Sequence, residues 1–384
     1  MKINIFGSTG IIGSKSLDII SNYFPELKID LLLASNNAKK LINQANIFKP
    51  KAICLKNTKK LNFYKSKINP IIKVIDYKDL SNYLRNSKTK ASILSISGNA
   101  ALEYFEDICI NTNQLGLVNK ECIVSCGHLF KKLLKKHEVK IFPLDSEHFS
   151  IYNLLNQKNT SLKNFYKIFL TASGGPLLNY SKKQIHNVNF KEVINHPKWK
   201  MGYKNSIDSS TLANKCLELI EAMYLFQISM KDLDIVIHPE ALVHSIIEYN
   251  DSTSIFNYFY NDMTIPILNF LSHITNKKLT KINKFKINKN FKLNFIEVDK
   301  NKFPIYNIFK DIEYKKPQQV IKFNAANQYA VELFQKNMIK YIQMPKIIEK
   351  SISYELKASI NSIGSIIKYE KEFNKIMISN YEKA

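Results

Sequence analysis

The chain is 384 residues long, 45% hydrophobic, and carries a formal charge of +24. That length suits two or three domains with a sizeable core, and with no apolar run near the roughly 20 residues a spanning helix needs, an integral membrane protein is not expected. The charge alone would suit a nucleic acid or an anionic membrane, but the lysines are spread from end to end among many Ile and Asn residues, which reads as solvated faces and predicts neither partner.

Lys2–Phe6 predicts a strand that runs into Gly7, Gly10 and Gly13. A strand, a glycine-rich turn and a helix start form a dinucleotide-binding arrangement: glycines let the backbone approach a pyrophosphate, and the helix N-terminus offers N–H groups and a positive dipole end. The spacing is G-x-x-G-x-x-G rather than G-x-G-x-x-G, and such turns also occur with no ligand. The next strand, Ile29–Ala34, ends at Ser35, Asn36 and Asn37, where an acidic residue would hold the ribose of NAD; the neutral polar groups favour NADP. Strands at 52–55, 71–75, 91–96, 115–118 and 139–142, with helices such as 37–48 and 126–137 between them, predict a parallel sheet over residues 1–145. Ligands bind outside the carboxyl ends of such strands, so Ser97–Asn99, Asn119–Glu121 and Asp145–Glu147 should gather along one rim. Lys120 would touch substrate or nucleotide there, or serve only as a solvated lysine.

On extended backbone Asp145 and Glu147 would point to the same side. Farther on, 209–226 reads as one amphipathic helix with Asn214, Lys215 and Glu218 on one face. Three carboxylates without cysteine or clustered histidine favour Mg2+ or Mn2+ over zinc, and Glu221 is a further acid one turn on. Thr171–Pro176 is a small-residue turn whose N–H groups and Ser173 hydroxyl suit an oxyanion, although Gly-Gly-Pro is also an ordinary turn signal. Ser209, Asn214 and Lys215 would complete a phosphate cradle. His196–Gly202 holds the single tryptophan, Trp199, in a segment that either packs as a loop or closes as a lid. His238 and His244 read as satisfied buried histidines. Further strands are expected at 168–171 and 235–237, giving an α/β catalytic domain over 146–273. A Lys- and Asn-rich linker follows over 274–302, and a helical bundle over 303–384 includes helices at 325–338 and 344–354. Cys54, Cys109, Cys122, Cys126 and Cys216 lack paired zinc spacing and read as reduced thiols. The chain opens on strand residues, leaving no room for a targeting peptide, so a cytoplasmic location is expected.

Taken in order, these motifs resemble the 1-deoxy-D-xylulose 5-phosphate reductoisomerase family. The resemblance runs through Gly7–Gly13, Ser97–Glu103, Val118–Glu121, Pro143–His148, Leu170–Pro176, His196–Trp199, Ile207–Thr211, Asn214–Glu218, Ile237–Glu240 and Asn324–Asn327. It implies an NADPH- and metal-dependent enzyme of non-mevalonate isoprenoid synthesis, a homodimer, with a Rossmann-like cofactor domain, an α/β catalytic domain and a C-terminal helical bundle. By position it implies Asp145, Glu147 and Glu218 as metal ligands. It assigns substrate contacts to Ser146, Ser173, His196, Ser209, Asn214, Lys215, Glu218 and Lys120, and cofactor contacts to Thr9, Gly10, Ile11, Ile12, Asn119, Glu121 and Gly202. Lys120, His196 and the three acids would be catalytic, with Ser35, Asn36 and Asn37 at the ribose phosphate. Two departures bear on cofactor affinity and preference: Ser35-Asn36-Asn37 replaces the Gly-Lys-Asn of many members, and Met201-Gly202-Tyr203-Lys204 replaces Met-Gly-Arg-Lys. The implied reaction is a metal-assisted skeletal rearrangement of 1-deoxy-D-xylulose 5-phosphate followed by hydride transfer from NADPH. The alternative is another metal-dependent NAD(P) oxidoreductase of a phosphorylated hydroxy-carbonyl substrate, which would share the fold without needing the His196-to-Glu218 block.

Overall fold

A computed structural model describes residues 1–59, 65–156, 164–195, 202–279 and 292–382. The chain packs as two compact units. The first comprises Met1–Cys122, Phe130–Phe149 and Asp262–Lys284, and the second comprises Ile123–Leu129, Ser150–Asn261 and Phe285–Ala384.

The first unit is built on seven parallel strands: β1 (Lys2–Phe6), β2 (Lys28–Ala34), β3 (Ala52–Leu55), β4 (Lys73–Ile75), β5 (Thr89–Leu94), β6 (Thr112–Leu117) and β7 (Lys140–Pro143). Their order is β4-β3-β2-β1-β5-β6-β7, so the winding direction reverses between β1 and β5. The inner strands are apolar along most of their length because crossover helices cover both faces of such a sheet. Buried polar exceptions are paired: Asn4 of β1 donates to Asn111 Oδ1 at 2.7 Å, and Asp30 of β2 accepts from Tyr83 at 3.0 Å. Helices α1 (Ile11–Tyr23), α2 (Ala38–Phe48), α3 (Leu80–Arg85), α4 (Phe105–Asn111) and α5 (Lys120–His137) connect these strands. Helix α5 starts six residues before the expected 126 because the Asn119 side chain caps it, accepting from the Cys122 N–H at 2.6 Å. After β7 the chain enters α6 (Ser146–Leu155) at once, so Glu147 lies in a first helical turn and not on the extended backbone expected from sequence.

Between 156 and 261 the second unit places helices α7 (Lys182–His186), α8 (Phe190–Ile194), α9 (Tyr203–Ser210) and α10 (Ala213–Phe226). Its sheet has the order β11-β10-β8-β9, built from β8 (Phe165–Ala172), β9 (Leu233–Ile237), β10 (Val243–Tyr249) and β11 (Ser254–Tyr258). β8 runs parallel to β9, whereas β10 is antiparallel to both its neighbours. The single helix expected over 209–226 is two helices, because Leu212 adopts a left-handed φ of +63° that ends the α9 ladder. Helix α11 (Thr264–Thr275) packs in the first unit, where a Cβ on Gly116 would stand 2.9 Å from the Phe270 ring. The C-terminal part is helical: α12 (Pro304–Lys310), α13 (Pro317–Gln335), α14 (Met344–Ser353) and α15 (Ile363–Glu382). Pro opens the first turns of α12, α13 and α14, where its missing N–H has no helical partner to lose. Phe309, Phe323, Phe334 and Phe373 sit in the core of this unit, with Phe309 and Phe323 ring centroids 5.5 Å apart. Among the described residues no helix is long and apolar enough to cross a membrane, and the five cysteines are buried and form no disulfide.

Candidate active site

In the first unit the rim expected from sequence is present. The glycine turn follows β1, Ser97–Asn99 follow β5, Asn119–Glu121 follow β6 and Asp145–Glu147 follow β7, all at the carboxyl ends of parallel strands. The glycine turn lies at the reversal of strand order, the place where open α/β sheets take their ligands. Gly7 has φ +87°, and a Cβ there would meet the Ser95 carbonyl oxygen at 2.7 Å. Gly10 caps α1 with no side-chain acceptor, so the turn at Thr9, Gly10, Ile11 and Ile12 ends in backbone N–H groups, and Ile11 is 59% exposed. An uncapped helix start of this kind fits the phosphates of a dinucleotide. At the end of β2, Ser35, Asn36 and Asn37 are exposed, and Asn37 Oδ1 is already accepting from the Lys40 N–H at 3.0 Å as the cap of α2.

Across the rim, Asn119, Lys120 and Glu121 are buried. Asn119 ties two strand ends together: its amide donates to the Gly98 carbonyl at 2.8 Å while its oxygen caps α5. Lys120 Nζ lies 3.4 Å from Asp145 Oδ2. The other Asp145 oxygen accepts from the Glu147 N–H at 3.1 Å and lies 3.2 Å from His148 Nδ1. Ser146 donates to Glu147 Oε2 at 2.5 Å. Neighbours thus fix the direction of both carboxylates, as around carboxylates that ligate a hard cation. His148, fully buried, is a functional candidate the sequence reading missed. The signal was its position three residues after Asp145, which counts only once this stretch is read as helix.

In the second unit, the Ser173 turn packs against the end of α9. Gly174 and Gly175 have φ of +82° and +69°, and a Cβ on Gly175 would lie 2.7 Å from the Ser209 carbonyl oxygen. Only glycine allows that approach, which packs the turn that carries Ser173 against the backbone at Ser209. Asn214, Lys215 and Glu218 share a face of α10: Asn214 Nδ2 donates to Glu218 Oε1 at 2.5 Å, and Lys215 Nζ lies 2.5 Å from Glu218 Oε2. Lys215, Glu218 and Glu221 are buried. A buried acid held by an ammonium and an amide is a pre-oriented oxygen donor, and the same ammonium suits a phosphate. Gly202 is exposed at the start of α9, and among the described residues beyond its chain neighbours no atom lies within 4 Å of a Cβ placed there. His196 and Trp199 lie outside the described residues. His238 is engaged at both ring nitrogens, by the Asn294 carbonyl at 2.8 Å and the Leu242 N–H at 3.2 Å.

Three family models match the chain: 1-deoxy-D-xylulose 5-phosphate reductoisomerase over residues 3–127, its C-terminal domain over 141–226, and the DXP reductoisomerase C-terminal domain over 260–376. The curated 1-deoxy-D-xylulose 5-phosphate reductoisomerase of Pelagibacter ubique is 38% identical over 343 residues, covering 88% of each chain. That of Ehrlichia canis is 36% identical and covers 99% of each. Among solved structures, a DOX-P reductoisomerase in complex with NADPH, fosmidomycin and magnesium superposes with a TM-score of 0.85 at 30% identity, over 99% of this chain and 98% of that one. The Zymomonas mobilis enzyme in complex with NADPH gives 0.88 at 26% identity, over 100% and 99%. Matches of this extent at this identity leave one assignment: the chain belongs to the 1-deoxy-D-xylulose 5-phosphate reductoisomerase family.

Proposed function

We propose that the protein converts 1-deoxy-D-xylulose 5-phosphate to 2-C-methyl-D-erythritol 4-phosphate in non-mevalonate isoprenoid synthesis, using NADPH and Mg2+ or Mn2+. The observation that carries this reading is the rim of the parallel sheet, where the glycine turn, Asn119–Glu121 and Asp145–Glu147 converge at the carboxyl strand ends. When bound, the cation polarises adjacent substrate oxygens and the nicotinamide supplies hydride. Asp145, Glu147 and Glu218 hold the cation, each carboxylate pre-oriented by its own neighbours. Ser173, Ser209, Asn214 and Lys215, with His196, bind the substrate phosphate; this grip, remote from the reacting carbons, fixes their position. Ser146 and Lys120 contact the substrate near the acids. Lys120, held beside Asp145 and withdrawn from water, meets the substrate where negative charge develops. Thr9, Gly10, Ile11, Ile12, Ser35, Asn36, Asn37, Asn119, Glu121 and Gly202 receive the cofactor. Residues 1–145 serve as the cofactor domain, 146–273 as the catalytic domain and 303–384 as a helical domain, in a cytoplasmic homodimer.

The test follows NADPH absorbance with the purified chain, 1-deoxy-D-xylulose 5-phosphate and Mg2+ or Mn2+. Metal-dependent oxidation is expected, with a loss of at least about a thousandfold in Glu147→Gln as an oxygen anion at the reacting centre is removed. A folded wild-type protein inactive with both metals, and with NADH as well, would sink the assignment.

A further inference from the structure

Ser209 lies in the last turn of α9, and Asn214 and Lys215 lie in the first turn of α10, so residues 210–213 set the spacing of these groups. Leu212 within that junction holds φ +63°, a conformation unfavourable to any side chain with a Cβ. Such a backbone persists only where its surroundings over-determine it. One support is local: the Ala213 N–H donates to Thr211 Oγ1 at 3.3 Å. Another comes from far along the chain, where the Tyr341 hydroxyl donates to the Ser210 carbonyl at 2.9 Å. The Tyr341 ring is itself set edge-on to Phe334, with centroids 5.8 Å apart, so the donor is well aimed. Burial pushes the hydroxyl's pKa well above its ordinary value, and it stays a protonated donor across the working pH range. A cavity of about 420 Å³ lined by Tyr341 and Thr211 lies alongside, leaving the ring room to shift once the bond is gone.

We propose that Tyr341 is a positioning residue: by donating to the Ser210 carbonyl, its hydroxyl holds the α9–α10 junction in the form that sets Ser209 against Asn214 and Lys215, and so tunes affinity for the substrate phosphate. This rests on the reading above that those three residues bind the phosphate. The test is steady-state kinetics of the full chain with NADPH and Mg2+, comparing wild type, Tyr341→Phe, Ser209→Ala and the double variant. Removing one neutral hydrogen bond predicts a KM for 1-deoxy-D-xylulose 5-phosphate about three- to tenfold higher in Tyr341→Phe, with kcat and the KM for NADPH nearly unchanged. The rise should shrink in the Ser209→Ala background, because the hydroxyl acts through Ser209. Three results overturn the inference while leaving the phosphate reading intact: an unchanged KM in Tyr341→Phe where Ser209→Ala raises it, full additivity of the two variants, or a lower melting temperature with a normal KM. An unchanged KM in Ser209→Ala instead overturns the phosphate reading, and the inference falls with it.

Discussion

Replacing Gly13 by alanine isolates the role of the glycine turn. Gly13 is the third residue of α1, and a Cβ there would lie 2.2 Å from the Gly7 carbonyl oxygen and 2.6 Å from Ser8 Cα. Both neighbours are backbone. To restore even a 3.0 Å separation the carbonyl must retreat by about 0.8 Å. It is not free to do so, because the Gly10 N–H donates to it at 3.0 Å and the Gly7 N–H is tied to the Leu33 carbonyl at 2.9 Å. Overpacking of this kind costs about 1–3 kcal/mol, against which alanine's helix propensity returns up to ~1 kcal/mol. The protein should therefore lose about 1–2 kcal/mol of stability. The displaced turn should weaken NADPH binding at least tenfold, since about 1.4 kcal/mol of lost contact is enough. The assay is a fluorescence titration of NADPH without substrate, run beside a thermal melt. Gly364→Ala is the control, because the nearest atom to its added Cβ is a side-chain oxygen at 3.9 Å. Wild-type affinity for NADPH in Gly13→Ala would refute the reasoning.

Two further outcomes are expected. Burial alone would raise the pKa of Asp234, but hydrogen bonds from the Tyr306 hydroxyl at 2.5 Å and Lys310 at 3.0 Å outweigh it and hold the carboxyl below its ordinary value. Its stabilisation is thus complete above about pH 4 and lost as pH falls through the folded value, so the melting temperature of Asp234→Asn should fall less steeply than that of wild type below that pH; parallel profiles would refute it. Ser35→Arg places a charge where the ribose phosphate of NADPH is expected and should raise the NADPH-over-NADH ratio of kcat/KM about tenfold or more, the worth of one charge-assisted contact. An unchanged ratio would show that this strand end does not meet the phosphate.

Much of the first unit was legible because buried parallel strands read as short apolar runs, and all seven strands of its sheet fall on or within a few residues of their expected positions. What escaped was local backbone. Asp145, Ser146 and Glu147 follow an apolar run and by pattern extend it, whereas Asp145 heads a helix by accepting the Glu147 N–H. That misreading hid His148, since on extended backbone residues 145 and 148 point to opposite faces and on a helix they are neighbours. The split of 209–226 was illegible for another reason. Apolar periodicity continues across the break, and nothing in the residue type of Leu212 announces a left-handed φ. Strands β10 and β11 were missed as well; every β11 residue is at least partly exposed, so its pattern carries little burial signal. The acids and the phosphate-cradle candidates stand out by their chemistry even where their backbone is not legible.

The place of β1 in its sheet also has a consequence for synthesis. β1 is the earliest strand in the chain, yet it lies between β2 and β5, and its buried Asn4 bonds to Asn111 across 107 residues. β2 follows it closely, but β5 ends only at Leu94. At roughly 5–20 residues per second on a ribosome, the open side of β1 waits about 3–12 s after β2 is made before its second partner exists. Through that interval the strand that will carry the glycine turn is an unpaired apolar edge, the kind most prone to mispair with another chain. A nascent chain stalled before β5 should therefore depend on chaperones far more than one released after it.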